Sequence, residues 1–147
     1  MKNIRILKYC MLAIIFGVIA FNVQAHPSND KQSVIIAEQF IQNIQTADTN
    51  NLNTILDDKY IHIHGTGLIE NKDKFLEALS TKKRIYNTAT LSNVSVSSHQ
   101  NVYIVQGQLA ISVSSGAKKI EGTNLISIVM INENNNWKII HFQGTKI

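Results

Sequence analysis

Apolar residues in the first half of the chain recur with a helical period, and in the second half with a period of two. Ile36, Ala37, Phe40, Ile41, Ile44 and Ala47 fall on one face of a helix, which predicts an amphipathic helix over residues 32–48. Thr49 or Asn50 can cap a short second helix that buries Leu52, Ile55 and Leu56. Tyr60-Ile61-His62-Ile63-His64 is β-prone, Gly65-Thr66-Gly67 reads as a turn, and Leu68 to Glu70 as a short return strand. Asn71 then caps a third helix with Phe75, Leu76 and Leu79 on its inner face. From Thr88 onward, four strands are predicted at about 90–98, 102–113, 119–131 and 137–145. The polar turns between them are short, so neighbouring strands form antiparallel hairpins. The order α-α-β-β-α-β-β-β-β predicts an α+β domain with helices on one face of a curved, mostly antiparallel sheet.

The start of the chain has a different character. Lys2, Arg5 and Lys8 precede an uncharged apolar run from Cys10 to Phe21, and Val23-Gln24-Ala25 supplies small residues at −3 and −1. This is the pattern of a secretory signal peptide over 1–25, cut between Ala25 and His26. The run is shorter than the ~20 residues a membrane span needs. The expected organisation is leader 1–25, a loose polar segment 26–31 and one domain over 32–147, periplasmic or secreted. No membrane attachment is expected after cleavage.

The leader changes the charge argument. The chain has 14 Lys+Arg and 10 Asp+Glu, and three of the bases lie in the leader. The remaining 11 bases against 10 acids give the domain a charge of only +1. That excludes a case for nucleic acid built on basicity. Lys82-Lys83-Arg84 reads as a solvated helix end, where positive charge suits the helix dipole. Cys10 is the sole cysteine, so the domain has neither disulfides nor a thiol nucleophile.

Candidate chemistry centres on histidine. His62 and His64 alternate with Ile61 and Ile63, so both imidazoles share one strand face. A neutral imidazole facing a pocket can act as general base or hydrogen-bonding group near neutral pH. The alternative is an exposed pair at a strand edge or a hydrogen-bonded core histidine. Alternation on the last strand places Trp137, Ile139, His141, Gln143 and Thr145 on one face, which is either pocket wall or dimer surface. Tyr86 and Tyr103 can each present a phenol to a ligand. A His-x-His pair needs further ligands to hold a metal, and no fixed spacing connects it to Asp58 or His141, so neither metal nor cofactor is expected. There is no Gly-x-Ser-x-Gly elbow and no phosphate-binding glycine loop.

Taken in order, Asp58 to Gly67, the helix Lys72 to Leu79, Tyr86, and the terminal strand Trp137 to Thr145 resemble the nuclear transport factor 2-like superfamily. That superfamily includes SnoaL-like polyketide cyclases, ketosteroid isomerase and small bacterial domains of unknown function. The terminal strand is also similar to that of the calcium/calmodulin-dependent kinase II association domain. The resemblance implies a cone, with the sheet wrapping the long helix, a pocket at its open end, and often a homodimer through the outer sheet face. It also places His62 to His64 near the position of the isomerase base. The chain departs from that enzyme in its acids, because no Asp or Glu lies between Glu77 and Glu121. Pocket walls built from the later strands would lack the carboxylate of the isomerase oxyanion site.

Three functions follow. The first is a binding module for a small, mainly apolar molecule, with His62, His64, Tyr86, Tyr103, His141 and Gln143 as pocket residues. The second is a cyclase or isomerase with His64 as the catalytic acid/base. The third is a dimeric scaffold without ligand.

Overall fold

A computed structural model describes residues 28–147; the signal-peptide expectation lies outside them. The element order is α1 (Asn29–Thr46), α2 (Thr49–Ile55), β1 (Leu56–Ile63), β2 (Ile69–Asn71), α3 (Lys72–Ser80), β3 (Ile85–His99), β4 (Val102–Ser115), β5 (Lys118–Glu133) and β6 (Asn136–Lys146). This is the predicted order. Among the described residues, no helix is long and apolar enough to cross a membrane.

Helix boundaries follow their caps. Ser28 Oγ accepts from the Lys31 amide, so α1 begins at Asn29 and residues 29–31 are helical where a loose segment was expected. The helix ends at Ala47 in the left-handed conformation (φ 53°). The cap of α2 is Asp48, not Thr49 or Asn50. Its carboxylate accepts from the Asn51 amide at 3.0 Å and from Asn51 Nδ2 at 2.7 Å. Asn71 caps α3 as expected, accepting from the Lys74 amide at 3.1 Å.

The six strands form one sheet in the order β2-β1-β6-β5-β4-β3. Strands β3 to β6 are antiparallel neighbours, and β1 runs parallel to β6. The strands of the β3–β4–β5 meander are 14 to 16 residues long, and β3 bends at two bulges. The curved sheet packs against α1, which lies mainly across β3. Phe40 of α1, Tyr60 of β1, Phe75 of α3 and Phe142 of β6 meet in one aromatic cluster, with ring centroids 5.7–6.3 Å apart. All four are buried.

One bulge overturns the simple alternation expected for β6. Met130 pairs with Ile139 and Val129 pairs with His141, so Ile140 is an extra residue in the ladder. Trp137 and Ile139 face the core before it. Past it, Phe142 and Gly144 take over the inner face, while Gln143 and Thr145 are exposed.

Candidate active or ligand site

The site begins with strand alternation. Tyr60, His62 and His64 of the β1 segment point to the inner side, with Ile61 and Ile63 opposite. The two imidazoles are neighbours, 4.2 Å between centroids, yet their surroundings differ.

His62 is 1% exposed. Its ring stacks between Phe75 and Phe142, each 4.3 Å away. Burial, reinforced by the neighbouring His64 imidazole and by the positive charge of Arg84, holds its pKa well below 6.5. Burial also raises the Tyr60 phenol, so Tyr60 keeps its proton, and its hydroxyl shares a 2.7 Å hydrogen bond with His62 Nδ1 whose direction follows the His62 tautomer. His62 is therefore a core histidine and does not line a pocket, because aromatic rings from α3 and β6 cover both of its faces.

His64 lies one turn of the pleat further on, at the edge of that core. Its side chain is 12% exposed and lines a cavity of about 330 Å³. Beneath the tight turn at Gly65–Gly67, the chain returns as β2 and brings Glu70 back beside it. Glu70 Oε2 lies 2.7 Å from His64 Nε2. The same carboxylate receives two hydrogen bonds from Arg84, Nη1 to Oε2 at 2.8 Å and Nη2 to Oε1 at 3.0 Å. Partial burial opposes ionisation of Glu70, but the bonds from Arg84 and His64 outweigh it and hold the pKa below the usual carboxylate value. For His64, burial dominates the opposing bond to Glu70 and lowers the pKa. A charged carboxylate accepts only, so the network assigns the proton of neutral His64 to Nε2 and leaves the lone pair on Nδ1.

The remaining walls come from the near ends of β3, β4, β5 and β6. Tyr86 and Val113 are buried at the floor, and Ile111 extends the apolar wall. Burial pushes the Tyr86 phenol up to about 12, so it stays a donor. Asn124 projects beside Gly65, where a Cβ would stand 2.7 Å from Asn124 Oδ1. The mouth is formed by Leu68 and Ile120, 51% and 43% exposed, with Glu121 and Lys146 at its rim.

Of the residues singled out from sequence, His64 and Tyr86 meet at this cavity. Tyr103 packs on Trp137, 4.7 Å between centroids, at the opposite end of β4. Gln143 lines a separate groove on the outer sheet face with Gln106, Leu125, Ser127 and Thr145. His141 precedes Gln143 past the bulge and lines neither place. Sequence reasoning missed Glu70, Arg84 and Asn124. Carboxylates do serve the site, contrary to the expectation of walls without one: Glu70 of β2 orients His64, and Glu121 of β5 stands at the rim. The available signal for Glu70 was pairing: His62 opposes Glu70 across the Gly65–Gly67 hairpin, which puts Glu70 diagonal to His64. Arg84 gave no signal, since its Lys-Lys-Arg run looks solvated. Among the described residues, no three His, Cys, Asp or Glu side chains come together to hold a metal ion.

A curved sheet around a long helix, with a cavity at its open end, defines an NTF2-like domain. Similar solved structures agree. An NTF2-like protein from Cytophaga hutchinsonii superposes with a TM-score of 0.73 at 21% identity, covering 81% of this chain and 99% of that one. An NTF2-like protein of unknown function in nutrient uptake from Rhodospirillum rubrum gives 0.72 at 17% identity, covering 78% and 97%. The S. rosetta CaMKII hub gives 0.67 at 13% identity, covering 83% and 99%. A comparison with curated proteins gives no match. The model of the SnoaL-like domain matches residues 35–145, and the chain belongs to that family.

Proposed function

We propose that this is an exported domain that binds a small, mainly apolar molecule in the cavity at the open end of the cone. The observation that carries this reading is the cavity itself. It is about 330 Å³, walled by Leu68, Ile111, Val113 and Ile120, with the oriented imidazole of His64 and the Tyr86 phenol among its polar groups. Ligand cavities have this character: mostly apolar, with a few placed polar groups. A cavity filled by Phe and Leu side chains would instead favour a scaffold. Export rests on the pattern of residues 1–25. A homodimer through the outer sheet face belongs to the same reading, supported by Leu125, 49% exposed beside Gln143.

The test is mass spectrometry of protein purified from its own host. The expected result is a small molecule released on denaturation, and its loss from a Val113→Trp variant that fills the cavity but remains folded. An equal amount released by both proteins would place the molecule elsewhere and contradict the reading.

One observation favours a second reading, a cyclase or isomerase. The carboxylate of Glu70 orients His64 as an acid orients the imidazole of a hydrolytic triad, and leaves Nδ1 free to accept a proton. Turnover of the released molecule by the native protein, abolished by His64→Ala, would select this reading over simple binding.

A further inference from the structure

We infer that the cavity takes a mainly apolar molecule head first, its head an uncharged hydroxyl group that donates to His64 Nδ1 while the Tyr86 hydroxyl donates to the same or a neighbouring ligand oxygen. The inference rests on the binding reading above and adds the chemical class of the ligand.

Direction comes from burial. Tyr86 and Val113 are buried at the floor, whereas Leu68 and Ile120 at the mouth are half exposed and apolar. A polar head therefore finds partners inside, and an apolar tail finds cover at the entrance. The floor partners are free. Among the described residues, neither His64 Nδ1 nor the Tyr86 hydroxyl has a hydrogen-bond partner, and the sole enclosed, unpaired side-chain atom is Asn132 Oδ1. The two free groups thus keep contact with open space, and both of their side chains line the cavity. A ligand covering them without bonding them would leave an acceptor and a donor unmet. His64 Nδ1 needs a proton from its partner, which a hydroxyl supplies and an ether or ketone does not.

At the buried end, charge is disfavoured by how the local ions are already spent; Lys146, which has no carboxylate partner among the described residues, stands at the rim and not at the floor. Arg84 is the floor cation, and Glu70 engages it through both terminal nitrogens. An anion would meet a guanidinium already neutralised, with a carboxylate behind it. A cation would meet Arg84 with no free carboxylate at the floor, because Glu121 at the rim is held by Lys119 and Ser112. At about 330 Å³ the space lies at the small end of ligand cavities, about 300–1,000 Å³.

Three probes share one bicyclic body and differ in head group: 2-naphthol, 2-methoxynaphthalene and 2-naphthoate. Titrated against the folded protein by fluorescence, 2-naphthol is expected to bind about tenfold tighter than 2-methoxynaphthalene, and tighter than 2-naphthoate. Tyr86→Phe is expected to weaken 2-naphthol several-fold with its thermal midpoint retained, and Gln143→Ala to leave binding unchanged. Equal binding of 2-naphthol and its methyl ether, or tighter binding of 2-naphthoate, overturns the head-group inference and leaves the cavity reading standing. Absence of binding by all three up to their solubility overturns both.

Discussion

Glu70 and Arg84 join the two free edges of the sheet. Glu70 lies on β2, and Arg84 immediately precedes β3, the strands at opposite ends of the order β2-β1-β6-β5-β4-β3. Their two parallel hydrogen bonds sit at side-chain exposures of only 11% and 12%. The pair clasps the cone beside the cavity, and the same carboxylate fixes the His64 ring. Fold closure and site orientation therefore share one side chain.

Glu70→Gln keeps the shape but removes the charge that Arg84 faces. An unpaired, largely buried guanidinium is costly, so the variant should lose roughly 1–3 kcal/mol of stability. Urea unfolding monitored by Trp137 fluorescence checks this. A loss below about 0.5 kcal/mol, the size of an exposed pair, would mean that the clasp carries no weight.

The two histidines should respond differently to truncation. His62→Ala empties the space between Phe75 and Phe142 and should cost about 3 kcal/mol, as for other buried aromatic rings. His64→Ala leaves Glu70 with Arg84 and should cost less than about 1.5 kcal/mol, while ligand binding weakens. Equal losses of stability would place His64 in the core as well.

Acid should destabilise the fold in two steps. His62 and His64 have folded pKa values below the usual 6.5, so the unfolded chain binds more protons as pH falls. Their contribution is complete above about pH 6.5 and is lost as pH drops through the lower folded values. Glu70 adds a loss below its ordinary 4.5, because its folded pKa is also depressed. The urea midpoint should fall from pH 7.5 to pH 5. His62→Phe, which cannot take up a proton, should start lower and flatten that dependence. A midpoint that rises toward pH 5 would contradict the assigned shifts.

Gly107 answers a bulge. Ser92 pairs with Gln108 and Ser95 with Gln106, so Asn93 and Val94 stand together opposite Gly107. A Cβ there would lie 2.9 Å from the Ser92 carbonyl oxygen, which is backbone and cannot step aside. Gly107→Ala should cost about 1–3 kcal/mol through this overpacking. Thermal unfolding of the variant measures it, and an unchanged midpoint would show that β3 relaxes freely.

Much of the fold was legible because periodicity and turn chemistry are local. The caps at Asn71, the turn at Gly65–Gly67 and the period-two strands each follow from neighbours in sequence. Bulges were not legible, since an extra residue such as Ile140 is defined by its partner strand. That one residue moved Gln143 from the expected pocket to the outer face. The site was half legible for the same reason. His64 and Tyr86 stood out by residue type and by resemblance. Arg84 reached the site only through a contact 14 residues away in sequence, and Glu70 through a hairpin pairing. His62 looked equivalent to His64 until Phe75 and Phe142 arrived from distant elements.

The arrangement of the His64 ring is the point on which site and function meet. Nitrogen-15 spectra of the imidazoles, recorded at pH 7 with and without 2-naphthol, read it directly. The account predicts a neutral His64 protonated at Nε2, with a bare Nδ1 whose resonance moves on addition of the probe while His62 stays fixed. A proton on Nδ1, a charged ring, or a His64 signal indifferent to the probe would contradict it.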